Sequence, residues 1–120
     1  SFGGLFMPYI ELKTTAKVSD SQADSIKKAF GKAIECFPGK TERWLMVSIE
    51  GDRKMWFAGD NGSDSAMIDV SLLGNVDASA SEKMTAKLCR IIEEELGVSQ
   101  DRTYVKYSGY ANWGYAGSNF

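Results

Sequence analysis

The sequence passes twice through the same order of elements: a strand, a capped amphipathic helix and a second strand. Alternating apolar and polar residues indicate the strands, and apolar residues three or four positions apart indicate the helices. Each predicted helix has a serine followed three residues later by Gln or Glu, the pattern of a capping box. The predicted elements cover residues 8–17, 19–37, 44–50, 66–73, 79–96 and 103–107. Two such β-α-β repeats predict an α+β domain, a four-stranded mixed sheet with two helices on one face.

Two shorter aromatic stretches follow the repeats. Residues 54–58 come after a Gly-Asp turn and are predicted to form a partner strand, and residues 112–116 lie in a Gly-rich aromatic tail. The apolar strand residues also look too numerous for one helical layer to cover. They are Ile10, Leu12, Val47, Ile49, Val70, Leu72 and Val105. We therefore expect oligomerisation to bury the second face of the sheet, with the short aromatic stretches extending a neighbour's sheet.

Composition narrows the class of protein. A chain of 120 residues that is 43% hydrophobic and 25% charged is expected to fold as one domain with a real core. The net charge of -2 argues against nucleic acid or an anionic membrane as partner. No apolar run approaches the roughly 20 residues of a membrane-spanning helix. Residues 1–6 are expected to be an expression leader ahead of a natural start at Met7, which leaves residues 7–120 as the single domain.

Most familiar catalytic patterns are absent from this sequence. There is no histidine, so no serine can be activated by a Ser-His pair. The two cysteines, Cys36 and Cys89, are spaced neither as a metal site nor as a redox pair, and we expect them to be reduced. The loop over residues 59–64 lacks the Gly-Lys-Ser/Thr of a phosphate loop and the spacing of a calcium loop. We therefore expect neither a metal nor a cofactor.

Met7-Pro8, at the start of the first strand, offers a different base. If processing makes Pro8 the first residue, its ring nitrogen becomes a secondary amine. Desolvation and nearby cations would lower the pKa of that amine towards neutrality, where it can act as a general base. The alternative is a proline that simply begins an edge strand, where its missing N–H does no harm.

Other candidates have equally plain alternatives. Lys40 follows the helix stop Pro38-Gly39 and either reaches into a cleft or complements the helix dipole. Tyr104, at the start of the last strand, either donates a hydrogen bond to a ligand or packs as a core or interface aromatic. Further aromatic residues either line an apolar pocket or pack in the domain. They are Trp44, Trp56, Trp113, Tyr115 and Phe120.

Five segments together resemble one known family. They are Met7-Pro8, Gly39-Lys40, Leu72-Leu73-Gly74, Asp101-Arg102-Thr103-Tyr104-Val105 and the closing Asn112-Trp113-Gly114-Tyr115-Ala116-Gly117-Ser118-Asn119-Phe120. In this order they resemble the macrophage migration inhibitory factor family of the tautomerase superfamily. The closing segment is the most specific, and the similarity runs from Pro8 to Phe120.

The resemblance implies a homotrimer that catalyses keto–enol tautomerisation without a cofactor. Its implied substrates are arylpyruvates such as phenylpyruvate, and dopachrome-like compounds. Pro8 corresponds to the catalytic base, Lys40 to the cation that holds the substrate acid, and Leu73 to a backbone N–H donor. Tyr104 corresponds to a tyrosine from the neighbouring subunit. The aromatic and apolar pocket walls correspond to Trp44, Trp113, Tyr115 and Phe120.

Two positions depart from the family pattern, and two further expectations follow from the resemblance. Lys106 stands where relatives often have an asparagine at the shared pocket wall, where it either binds a second acid group or faces solvent. Trp113 replaces a smaller aliphatic residue. Relatives also suggest an alternative, a cytokine-like signalling protein that binds a cell-surface receptor through a dispensable active site, either cytoplasmic or secreted without a signal peptide. With residues 1–7 attached, the Pro8 nitrogen is an amide, and we expect impaired tautomerase activity.

Overall fold

A computed structural model describes residues 7–120, so the expected leader lies outside the described residues. These residues form a four-stranded mixed sheet, two α-helices and a two-stranded hairpin near the C-terminus. The strands are β1 (Tyr9–Thr14), β2 (Met46–Glu50), β3 (Ala66–Leu73), β4 (Thr103–Tyr110), β5 (Gly114–Tyr115) and β6 (Ser118–Asn119), and the helices are α1 (Asp20–Ala33) and α2 (Ala78–Leu96). The predicted α+β fold with two helices on one face of a mixed sheet is confirmed.

The strand order in the sheet is β2-β1-β3-β4. β1 is parallel to β2 and antiparallel to β3, and β3 is parallel to β4. Each parallel pair is therefore connected through one helix, as a β-α-β crossover requires. The first residues of β1 and β2 and the last residues of β3 and β4 consequently lie at the same end of the sheet.

Local capping explains where the helices begin and end. The capping box of Ser19 and Gln22 is present at the start of α1. The box predicted at Ser79 is wrong, because α2 begins two residues earlier, where the Asp77 carboxylate accepts from the Ala80 N–H at 2.8 Å. An aspartate supplies the same acceptor for a free helical N–H as a serine would. Gly97 ends α2 in the left-handed conformation, with φ 70°.

The core lies between the two helices and one face of the sheet. Ile10, Leu12, Val70 and Leu72 are fully buried there, and Val47, Ile49 and Val105 pack partly buried against the same cluster. The expectation that these residues would leave an apolar second face is therefore wrong. Because side chains alternate along a strand, the second face carries the intervening residues. It is mixed rather than apolar. Its polar members include Glu11, Lys13, Ser48, Asp69, Ser71 and Lys106, and its apolar and aromatic members include Met46, Met67, Tyr104 and Tyr110.

The predicted partner strand over residues 54–58 is also wrong. Within it, strand pairing is limited to one isolated bridge between Phe57 and Asp60. Ala58 and Gly59 both have positive φ, 52° and 77°, so the chain reverses immediately after Phe57. Within residues 7–120, neither helix combines the length and apolar character needed to cross a membrane.

Candidate functional site

An open cavity of about 830 Å³ lies at the end of the sheet where β1 and β2 begin and β3 and β4 end. Its walls come from the four strand ends, the segment before β2 and the C-terminal hairpin. The lining residues are Met7, Pro8, Tyr9, Arg43, Trp44, Leu45, Met46, Ser71, Tyr110, Asn112, Trp113, Gly114 and Tyr115. The mixed sheet topology thus brings together segments that are far apart in the sequence.

Pro8 lines this cavity and is held by the sheet. It is buried, and its carbonyl accepts a hydrogen bond from the Met46 N–H at 3.1 Å. The parallel pairing of β1 with β2 begins at the next residue, Tyr9, opposite Met46. Because the backbone of Pro8 is bonded in this way, its ring has a defined position at the cavity wall.

The remaining walls are mainly aromatic. The rings of Trp44 and Tyr115 meet edge to face with centroids 5.4 Å apart, and those of Tyr110 and Trp113 do so at 5.8 Å. Phe120 is not a lining residue but stacks against Tyr115 at 6.2 Å. Such ring pairs stabilise each other beyond the area they bury. Three predicted wall residues, Trp44, Trp113 and Tyr115, therefore line the same cavity, and Phe120 packs against one of them.

Lys40 lies near the start of the segment that leads into β2, but it does not line the cavity. It is 6% exposed, and burial lowers the pKa of its ammonium group from 10.5 to about 8. Its backbone N–H donates to the carbonyl of Phe37 at 3.1 Å. Burial disfavours the charged form, so this lysine titrates much closer to neutrality than an exposed one.

The other predicted binding residues also lie outside the cavity. Leu73 is the last residue of β3 and pairs with Tyr110 on β4. Tyr104 is 63% exposed and lies six residues before Tyr110 on β4, which corresponds to about 20 Å along the strand. Lys106 forms an ion pair with Asp69 at 3.4 Å. Tyr104 and Lys106 therefore do not contribute to the cavity of their own chain.

Sequence reasoning missed Arg43, the one lysine, arginine, aspartate or glutamate among the lining residues that the structure describes. Its guanidinium carbon lies 5.4 Å from the centroid of the Trp44 ring. The two residues belong to a short 3-10 helix, Glu42–Trp44, that directly precedes β2. In the sequence, Arg43 is only a cation next to a tryptophan at the start of a predicted strand. That pattern does not distinguish it from any solvent-exposed arginine.

Comparisons with known proteins cover nearly the whole chain. Residues 7–120 match the family model for macrophage migration inhibitory factor (MIF). The macrophage migration inhibitory factor of Xenopus laevis is 27% identical over 116 residues, covering 95% of this chain and 99% of that protein.

Solved structures share the fold. Leishmania major MIF2 matches with a TM-score of 0.88 at 24% identity, covering 95% of this chain and 97% of that chain. Pt0534, crystallised after inactivation by 2-oxo-3-pentynoate, matches with a TM-score of 0.80 at 18% identity, covering 92% and 93% of the two chains.

Proposed function

The chain belongs to the macrophage migration inhibitory factor family, and on that premise we propose that it is a cofactor-free keto–enol tautomerase whose general base is the amine of Pro8. The observation that carries the proposal is the position of Pro8. It lies at the wall of an aromatic cavity, held by the hydrogen bond from Met46 to its carbonyl. Its substrates would be arylpyruvates such as phenylpyruvate, and dopachrome-like compounds.

The proposed reaction moves one proton. In a chain that begins at Pro8, the ring nitrogen removes a proton from the carbon next to the ketone of phenylpyruvate. The electron pair of that C–H bond forms the C=C bond of the enol, and the π pair of the C=O bond moves to oxygen, which takes a proton from water. The hydroxide left behind takes the proton from the Pro8 ammonium group, which restores the neutral amine. Burial of the amine beside Trp44 and Tyr115 favours its neutral, basic form. A nearby donor or cation is then needed for the negative charge that develops on oxygen.

Lys40 and Leu73 supply those functions in the proposal. With a pKa of about 8, Lys40 carries its charge at pH 7 and can hold the substrate acid group. Leu73 would donate its backbone N–H to the same group. Leu73 ends β3 at the cavity end of the sheet, and Lys40 lies in the segment before β2. Neither lines the cavity, so this part of the proposal requires the substrate to reach beyond the described walls.

Tyr104 leads to the proposed assembly. About 20 Å of strand separate it from the cavity of its own chain, so it can act at such a site only in a neighbouring copy. The family resemblance implies a homotrimer, which we include in the proposal, with Tyr104 and Lys106 placed at a subunit-shared wall. Activity would then depend on assembly.

Three purified forms test the role of Pro8: a chain that begins at Pro8, the same chain with Pro8→Gly, and the complete 120-residue chain. Glycine keeps a terminal amine but removes the secondary amine and its ring. We expect phenylpyruvate tautomerisation to fall about 100-fold or more in the glycine form, the lower end of general-base effects. The complete chain should be comparably impaired. Equal turnover by the mass-verified complete chain and the Pro8 form would contradict the proposal.

Covalent labelling gives a second measurement. 2-Oxo-3-pentynoate is an electron-poor alkyne, and a neutral amine adds to it by forming an N–C bond while the alkyne carbon next to the carbonyl gains a proton. We expect mass spectrometry to find one equivalent on Pro8 of the chain that begins there. The complete chain should remain unlabelled at this position. Labelling only at lysines would remove Pro8 as the reactive amine.

A second candidate function is signalling of the kind for which the relatives are named. The observation that favours it is the match of residues 7–120 to the macrophage migration inhibitory factor model. In this candidate the chain acts outside the cell on a receptor and its active site is dispensable. A cell-migration assay with the Pro8→Gly form tests this, because full inhibition by the inactive form would separate signalling from catalysis.

A further inference from the structure

Among residues 7–120, Arg43 is the one cationic side chain that lines the cavity. Arg43 lines the cavity, is exposed to solvent, and has its guanidinium group over the face of the Trp44 ring. Stacking on an indole limits the orientations of the guanidinium group, which leaves its N–H donors pointing along the plane of the group. Arg43 therefore presents its N–H donors beside the aromatic wall.

This cation has no counter-ion in the described structure. Among residues 7–120, Arg43 has no carboxylate within 4.0 Å, and the lining residues include neither aspartate nor glutamate. The other candidate for a second cation, Lys106, is already paired with Asp69 at 3.4 Å. An anionic group entering the cavity would thus meet an arginine that need not give up an ion pair with another residue of this part of the chain.

We propose that Arg43 is a specificity-determining residue that selects keto acids with a second carboxylate at the end remote from the ketone. The proposal rests on the proposed function, since the keto end of the substrate is directed to Pro8. The aromatic part would lie against the wall formed by Trp44 and Tyr115, and the distal carboxylate would reach Arg43. Planar bidentate pairing with a carboxylate is the interaction that the arginine fork favours.

Two kinds of measurement test the proposal, each in the chain that begins at Pro8. The first compares kcat/KM for 4-carboxyphenylpyruvate, a dianion, with that for phenylpyruvate, a monoanion. We expect the ratio of the two values to fall about tenfold in Arg43→Gln, largely through KM. Arg43→Lys should keep part of the preference, because it keeps the charge but loses the fork. The preference should also weaken with added salt.

The second measurement does not depend on turnover. Calorimetry compares the affinity of terephthalate with that of benzoate, which are unreactive mimics of the two acids. We expect terephthalate to bind more tightly to the chain with Arg43 and this preference to be lost in Arg43→Gln. Arg90→Gln, which removes an exposed arginine from α2, is the matched control and should leave both ratios unchanged.

The outcomes separate the two proposals. If Arg43→Gln retains the preference for terephthalate, the role of Arg43 is overturned. If the preference depends on Arg43 but neither keto acid is turned over by the chain that begins at Pro8, the role of Arg43 stands and the tautomerase proposal fails. An equal loss in Arg90→Gln would show a general charge effect and would also overturn the role of Arg43.

Discussion

An arginine lies over an aromatic ring at each end of the sheet. Arg43 stacks on Trp44 at the cavity end and Arg102 stacks on Phe57 at the opposite end, each with its guanidinium carbon 5.4 Å from the ring centroid. Their other contacts differ completely. Arg102 donates to the backbone carbonyls of Asp60, Ser63 and Asp64, each at 3.0 Å, and lies 3.5 Å from the Asp60 carboxylate. Its side chain is only 16% exposed.

The difference separates a structural arginine from a binding one. The donors of Arg102 are used to hold the loop after Phe57, and the Phe57 ring in turn packs against Tyr104 at 5.2 Å. Arg43 is exposed, and its contact with Trp44 leaves its edge donors available to a ligand. A contact between an arginine and an aromatic ring therefore does not identify the role of the arginine. The hydrogen-bond partners of the guanidinium group do.

The largest effect should come from a glycine at the cavity end. A Cβ at Gly109 would lie 2.2 Å from the backbone carbonyl oxygen of Gly74, and neither backbone can move without disturbing the end of β4. We expect Gly109→Ala to lower the free energy of unfolding by about 3 kcal/mol or more, as severe overpacking does. Urea unfolding measures it.

The matched control for that substitution lies at the opposite end of the sheet. A Cβ at Gly62 would meet the Asp60 carboxylate oxygen at 3.3 Å, which is the end of a flexible side chain. We expect Gly62→Ala to change stability by less than about 1 kcal/mol. Equal urea midpoints for the two variants would contradict the rigidity we assign to the cavity end.

The next largest effect on stability should come from substituting Arg102, and substituting Arg43 should have much less effect. We expect Arg102→Ala to lower the free energy of unfolding by about 2 kcal/mol, because three carbonyls of one loop lose a charged donor. Arg43→Ala should stay within about 0.5 kcal/mol of the unchanged chain, as exposed substitutions usually do. Thermal unfolding compares the pair, and similar losses in both variants would remove the distinction between them.

The lowered pKa of Lys40 predicts that stability depends on pH. Arginine stays protonated at these pH values, so neither arginine gives such a dependence. Its pKa in the folded state is about 8, below the ordinary 10.5, so between these values the folded chain binds fewer protons than the unfolded chain. The contribution of Lys40 to the free energy of unfolding should therefore rise as pH increases from about 8 to 10.5, with a slope of at most about 1.4 kcal/mol per pH unit.

Lys40→Met should remove that rise, and Lys32→Met, which replaces an exposed lysine of α1, should leave it in place. Chemical unfolding at several pH values gives the slopes. The same titration predicts that KM for a keto acid rises above pH 8, where Lys40 loses its charge. A slope that is unchanged in Lys40→Met would show that another group causes the pH dependence.

The smallest effect should come from the pair of Lys106 and Asp69. Lys106 is 62% exposed in its side chain, and exposed ion pairs contribute little. We expect Lys106→Gln to change the free energy of unfolding by less than about 1 kcal/mol. A double-mutant cycle with Asp69→Asn isolates the pair energy, and a coupling of several kcal/mol would indicate a buried environment in the assembled protein.

The sequence predicted most of the fold because its strands and helices carry strong periodic patterns. β3 has the bounds that alternation indicated, and Gly97 ends α2 as expected. The errors arose where two neighbouring residues or two local conformations could each satisfy the sequence pattern. Asp77 was as good a cap as Ser79 and came first, and the turn at Ala58 and Gly59 overrode a strand-like composition. The mixed composition of the second face depended on which residues of each strand alternate onto it.

The site was only partly predictable, because some of its features depend on packing rather than on the order of residues. Pro8, Trp44, Trp113 and Tyr115 could be assigned through the family resemblance, and all four line the cavity. Arg43 could not, because its importance lies in the absence of a carboxylate beside it within residues 7–120, and that is a property of packing. Tyr104 and Lys106 lie away from the cavity of their own chain, and their place relative to a neighbouring copy is not encoded in one chain's periodicity.

The place of β1 in the sheet has a consequence for the order of folding. β1 lies between β2 and β3, whose residues follow it by more than 30 and more than 50 positions in the sequence. Helices form from neighbouring residues within about a microsecond, whereas pairings between distant segments must wait for long loops to close. Pro8 is hydrogen-bonded to Met46 of β2, so it takes its position only when β2 has paired with β1. Recovery of the cavity wall during refolding should therefore lag behind recovery of helix content.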